Sequence, residues 1–81
     1  MKVLVRFFAQ LKDATGASQL AYELPDGARV SELLAMLYRE FPGLGKWDAN
    51  IRVAVGVEWV VREHALCDGD SVSIMPPVSG G

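Results

Sequence analysis

The pattern of apolar and polar positions divides the chain into five strands and one main helix, with a short helical turn after the first strand. Lys2 to Phe8 is rich in Val, Leu and Phe and alternates, which predicts a first strand. Its parity puts Val3, Val5 and Phe7 on one face and Leu4, Arg6 and Phe8 on the other. A short helical turn is expected over Ala9–Ala14, closed at Thr15-Gly16 by a glycine able to take the left-handed position after a helix. Ser18 to Leu24 alternates again, with Leu20, Tyr22 and Leu24 inward, and Pro25-Asp26-Gly27 is a strong turn signal. Val30, Leu33, Leu34, Leu37 and Phe41 then repeat at helical spacing over about three turns, with Ser31 as the expected cap. Pro42-Gly43 ends this helix, and a loop containing Trp47 is expected from Gly43 to Asn50.

Three further strand segments follow. Ile51–Val55 reads as a strand, Gly56-Val57-Glu58 as a turn, and Trp59–Val61 as a short strand behind it. Asp68-Gly69-Asp70 is a turn before the last strand, Ser71–Met75. Asp-Gly-Asp also occurs in calcium loops, but the twelve-residue pattern with its final Glu is missing, so a tight turn is the better reading. The order predicts an α+β fold, a mixed sheet of four to five strands packed on one main helix. The first two strands pair antiparallel, and the last lies parallel beside the first in the middle of the sheet. Parity puts Val72 and Ile74 inward and Met75 outward.

Composition narrows the function classes. Eighty-one residues with 51% hydrophobic and 22% charged residues describe one small globular domain. No apolar run approaches the roughly 20 residues of a membrane span, and Arg6, Gln10 and Lys12 break any signal-peptide core, so a cytoplasmic location is expected. The formal net charge is −2 and the eight basic residues are scattered singly, which argues against nucleic acid as a partner. Cys67 is the only cysteine; beside Leu66 it reads as a small packed residue rather than a nucleophile. His64 is the only histidine and reads as a loop residue, so no metal site is expected.

The chemistry concentrates in the final residues. Pro76-Pro77 lacks two backbone donors and cannot prolong a strand ladder, so it ends the strand and stiffens the exit of Val78-Ser79-Gly80-Gly81. Residues 1–77 are expected to form the domain and 78–81 a projecting tail. Those four residues extend roughly 13 Å at about 3.3 Å each. Gly80 and Gly81 have no Cβ, so the end of the chain is slim enough for a narrow slot in another protein. The tail has no Lys, Arg or His and supplies neither a cation for a phosphate nor a general acid. Phe8, Trp59 and Met75 are candidates for an apolar patch near the tail, where methionine adapts to more than one partner and Trp59 is the strongest anchor.

Phe8-Ala9-Gln10-Leu11-Lys12 with Thr15-Gly16, and Asp68-Gly69-Asp70-Ser71-Val72 leading into Pro76-Pro77-Val78-Ser79-Gly80-Gly81, resemble the opening and closing signatures of one family. It is the small subunit of molybdopterin synthase, the MoaD type of ubiquitin-like sulfur carrier, and the resemblance spans the whole chain. Gly56-Val57 departs from the Asn-Gln usual there, which bears on the geometry of that turn. The resemblance implies a β-grasp fold and a carrier that is not an enzyme on its own. An E1-like partner would adenylate the Gly81 carboxylate with ATP, and a sulfur donor would convert it to a thiocarboxylate. Pro77, Val78, Ser79 and Gly80 would thread into the large catalytic subunit, where the sulfur attacks cyclic pyranopterin monophosphate to build the dithiolene. No permanently bound cofactor is implied, and a heterotetramer of two large and two small subunits is. The resemblance also implies partner contact through Phe8, Trp59 and Met75. Competing readings are the thiamin-pathway sulfur carrier, a protein modifier joined to lysines through Gly81, and a passive binding module.

Overall fold

The computed structural model describes residues 1–76; Pro77 to Gly81, and with them the expected tail, lie outside the described residues. Five strands form one sheet: β1 (Lys2–Phe7), β2 (Gln19–Glu23), β3 (Arg52–Val55), β4 (Glu58–Val60) and β5 (Ser71–Met75). Their spatial order is β2-β1-β5-β3-β4. β1 runs antiparallel to β2 and parallel to β5, while β3 is antiparallel to both β4 and β5. The last strand in sequence is therefore the central one, as the alternation and order of elements led us to expect.

One face of the sheet is packed and the other faces outward. Val3, Val5 and Phe7 of β1, Val53 of β3, and Val72 and Ile74 of β5 are buried. Helix α2 (Val30–Glu40) lays Val30, Leu33, Leu34 and Leu37 into the core with them. Each such fully buried side chain contributes about 2 kcal/mol. The start of α2 differs from expectation. Arg29, not Ser31, occupies the cap position, and its N–H donates to Oε1 of Glu32 at 3.0 Å. The Ser31 side chain is not needed there. Its N–H donates to the Arg62 carbonyl at 2.9 Å and that of Val30 to the His64 carbonyl at 3.0 Å. The segment after β4 thus satisfies helix-start donors that have no partner within the helix, and His64 takes part through its backbone.

The expected loop after Pro42 is folded. Helix α2 stops at Glu40, and Pro42 opens another helix, α3 (Pro42–Gly45), followed by a 3-10 turn over Asp48–Asn50. Proline suits a first helical position because its missing N–H would be unpaired there in any case. α3 buries Leu44 completely, and Trp47 packs against the core at its edge. The first helix, α1 (Gln10–Thr15), ends at Gly16 with φ +74°, as read from Thr15-Gly16.

The glycine turns at Gly56 and Gly69 have different jobs. Gly56 (φ +61°) and Val57 join β3 to β4 as a two-residue hairpin, the position where a mirror-image turn needs glycine first. Asp68-Gly69-Asp70 is the expected turn, and it also ties β1 in place. The Lys2 N–H donates to Oδ1 of Asp68 at 2.7 Å, the Gly69 N–H to the Lys2 carbonyl at 2.7 Å, and the Leu4 N–H to the Asp70 carbonyl at 2.9 Å. Cys67 is not packed: Leu66 takes the core position, and Cys67 is exposed, its N–H donating to Oδ2 of Asp70 at 2.8 Å. No helix is long and apolar enough to cross a membrane among the described residues.

Candidate functional site

The site is the outward face of the sheet where β5 ends. Val72 and Ile74 point into the core, so Ser71, Ser73 and Met75 point out, and Pro76 follows outside the ladder. The register places the neighbours. Met75 lies opposite Arg52, Ser73 lies between Arg6 and Ala54, and Ala54 is opposite Trp59. Phe8 follows directly on the Phe7–Ile74 pair, so it continues the β1 row beside Met75. Phe8, Met75 and Trp59 therefore share one face, where parity put Phe8 and Met75. Phe8 is 39% and Trp59 56% exposed, while Met75 is half-buried.

Phe8 is turned outward by a strained residue. Ala9 has φ +50° and ψ −127°, the only positive φ of a non-glycine among the described residues. The Leu11 N–H donates back to the Phe8 carbonyl at 3.1 Å. Phe7 and Leu11 are both buried, and the sharp bend between them is what lets both reach the core. Phe8, between them, is left outside.

A cation that the sequence reading did not single out sits in this patch. The guanidinium of Arg52 lies 4.6 Å from the centroid of the Trp59 ring, within the range of an attractive cation–π contact. Arg52 is also the cross-strand neighbour of Met75. The patch is therefore not purely apolar: it has an arginine between its methionine and its tryptophan. Alternation along β3 placed Arg52 outward, but nothing local to it signals the stacking, which is made across strands. Val61, 65% exposed, follows β4 and extends the surface.

The entry to β3 is held by a second cluster. The Tyr38 hydroxyl on α2 donates to Oδ1 of Asp48 at 2.5 Å, and Nη1 of Arg62 donates to the same oxygen at 2.8 Å. Nη2 of Arg62 donates to the carbonyls of Asp48 at 2.7 Å and Ile51 at 3.4 Å. One guanidinium thus ties the 3-10 turn to the residue before Arg52. The Tyr38 hydroxyl, and next the Arg62 hydrogen bond, hold the Asp48 carboxyl below its usual range. Burial, then the hydrogen bond to Asp48, pushes the Tyr38 phenol upward. The cluster joins α2, the 3-10 turn and the segment after β4 immediately before Arg52 enters β3.

Among the expected site residues, Phe8, Trp59 and Met75 are brought to one face, and Pro77, Val78, Ser79, Gly80 and Gly81 lie outside the described residues. Comparison with known proteins bears on what this face accompanies. The sequence pattern of the ThiS family matches residues 5–81. A molybdopterin synthase sulfur carrier subunit from Chlamydomonas reinhardtii is 36% identical, over all of both chains. A small archaeal modifier protein 3 from Haloferax volcanii is 35% identical, also over all of both. A chain in the solved protein–protein complex of subunits 1 and 2 of molybdopterin-converting factor from Helicobacter pylori superposes with a TM-score of 0.74 at 33% identity, covering 100% of each chain. The expected β-grasp, ubiquitin-like fold is confirmed by this likeness and by the sheet order.

Proposed function

The chain belongs to the ThiS family, and we propose that within it the protein is the sulfur-carrier subunit of molybdopterin synthase. One observation carries this reading: the full-length match to a relative so named, 36% identical from end to end. The Pro76-Pro77-Val78-Ser79-Gly80-Gly81 ending is the sequence such a carrier needs. The likeness to one chain of the Helicobacter pylori complex supports docking on a large subunit.

In this reading Gly81 is the reacting group. A carboxylate is a poor electrophile, so an E1-like enzyme first joins it to AMP from ATP, releasing pyrophosphate. A sulfur donor then attacks the acyl carbon, AMP leaves, and a thiocarboxylate remains. Inside the large subunit the thiocarboxylate sulfur attacks cyclic pyranopterin monophosphate, and water later cleaves the acyl–sulfur bond to restore the carboxylate. Phe8, Trp59 and Met75 dock the body of the carrier while Pro77 to Gly80 lead the reacting end into the pocket. The carrier binds no permanent cofactor and performs no catalysis alone; cations and acids for the pterin phosphate come from the partner. A cytoplasmic location, shared with the two enzymes, goes with this reading.

Intact-mass measurement after incubation with the activating enzyme, ATP and a sulfur source tests this. The expected product has one C-terminal oxygen replaced by sulfur; its absence with an enzyme shown to be active refutes the carrier reading. The match to the archaeal modifier favours a second reading, conjugation through Gly81. Gly81 isopeptides on lysines of other proteins would be its signature.

A further inference from the structure

The outward face of the sheet has a charge opposite to that of the whole molecule. By register and parity it carries Lys2, Arg6 and Arg52 against Glu23 alone, three positive charges less one negative, or +2. The chain as a whole is −2, so the remainder is −4. Lys2 is directly opposite Glu23 at the far end of β1, which leaves Arg6 and Arg52 as the unbalanced pair. They stand on β1 and β3, on either side of β5, the strand that leads to Pro76. Lys12 adds a third cation, lining the same shallow hollow as Arg6 and Phe8.

Arg52 is prepared for a ligand. Its guanidinium is held over Trp59 at 4.6 Å, and stacking on a ring face leaves the N–H donors along the guanidinium edge free to point elsewhere. The ion pairs among the described residues are Met1 with Asp26 and Arg62 with Asp48, so no carboxylate of those residues is paired with Arg52 or Arg6. Glu63 shares a hollow with Arg52 and Trp59 without making an ion pair. An exposed guanidinium stacked on Trp59, without an acid partner among the described residues and set beside Met75 and Val61, matches a carboxylate in an otherwise apolar protein surface.

We propose that Arg52, with Arg6 across β5, is a specificity determinant of docking, and that the large subunit presents an aspartate or glutamate between them. This rests on the sulfur-carrier reading and names the chemistry of its partner surface. The surrounding apolar contacts exclude water from the pair, and the basic face selects an acidic partner from among other apolar surfaces.

The test uses the full chain and the large synthase subunit from the same organism, with binding measured by calorimetry at several NaCl concentrations. Arg52→Met keeps an apolar side chain of similar length and should weaken binding about tenfold, and Arg52→Glu about a hundredfold. Arg52→Lys, which keeps the charge but loses the planar fork, should fall between wild type and Arg52→Met. The fall of affinity with salt should be shallower for Arg52→Met than for wild type, which loss of packing alone would not produce. Unchanged thermal midpoints confirm that the exposed substitutions leave the fold intact. If wild type binds but Arg52→Met matches it in affinity and salt dependence, the proposal fails and the docking reading stands. If wild type does not bind the large subunit at all, both fail.

Discussion

The Tyr38 hydroxyl and the Arg62 guanidinium meet on one oxygen, Oδ1 of Asp48, at 2.5 and 2.8 Å. A helix, a 3-10 turn and the segment after β4 are joined at that atom. The connection explains how a chain with few polar contacts in its core fixes the outer half of its sheet.

The pH dependence of stability follows from this junction. The Asp48 carboxyl is depressed in the folded state, so its contribution is present above the unfolded value of about 4 and is lost as pH falls through the lower folded value. Asp48→Asn should flatten that acid limb in urea titrations at successive pH values. Tyr38 and Tyr22 are both raised, Tyr22 to about 12 by burial and then Glu40. Their contribution is complete below the unfolded value of about 10 and declines as pH rises beyond it. Tyr38→Phe should remove part of the alkaline decline while leaving the acid limb of the remaining carboxylates.

Ala9 bears backbone strain at φ +50° and ψ −127°. Replacement by glycine should stabilise the protein by about 1 kcal/mol, the strain relief exceeding the added flexibility of the unfolded chain. A raised midpoint in thermal unfolding is the expected result. A lowered one would mean that the alanine methyl is supported by packing.

Gly56 provides the complementary case, with φ +61° and open space where a Cβ would stand. Gly56→Val should cost more than 1 kcal/mol from backbone strain alone, since a β-branched residue resists this conformation. Gly56→Asn should cost less, because asparagine takes a positive φ more readily than a β-branched residue does. Chemical denaturation of the two variants measures the difference.

Leu44 should behave as a core residue although it lies in a four-residue helix. Its side chain is fully buried, so Leu44→Ala should lose about 2–5 kcal/mol. Val57→Ala, at 98% exposure, should change stability by less than about 0.5 kcal/mol. Trp59→Ala should be nearly as mild for folding yet weaken binding to the large subunit at least about tenfold.

These contrasts mark what was readable in the sequence. The strands were legible because alternation along each one has a single physical cause, one wet face and one dry face. Parity alone put Phe8 and Met75 outward and Val72 and Ile74 inward. The α3 helix was hidden because Pro42-Gly43 is a stop signal for the preceding helix and a start position for the next, and only Leu44 hints at burial. The cap of α2 was misassigned because its donors are met by carbonyls of Arg62 and His64, thirty or so residues on. Local residue type does not encode such a distant partner. Arg52 was missed for the same reason: its significance comes from Trp59 on the neighbouring strand. Cys67 beside Leu66 could not reveal by composition which of the two turns inward.

The position of β5 bears on how the protein is made. Without Ser71–Met75, β1–β2 and β3–β4 are two separate pairs with no hydrogen bonds between them in the sheet. During synthesis the sheet therefore cannot join until residue 75 has left the ribosome, and the parallel contact with β1 spans almost the whole chain, which makes it a late and slow closure. A shortened product ending before that strand would lack both the joined body and the Gly-Gly end. Gly80-Gly81 is translated only after this keystone strand, so any chain that carries the Gly-Gly pair also carries the segment that joins the two halves of the sheet.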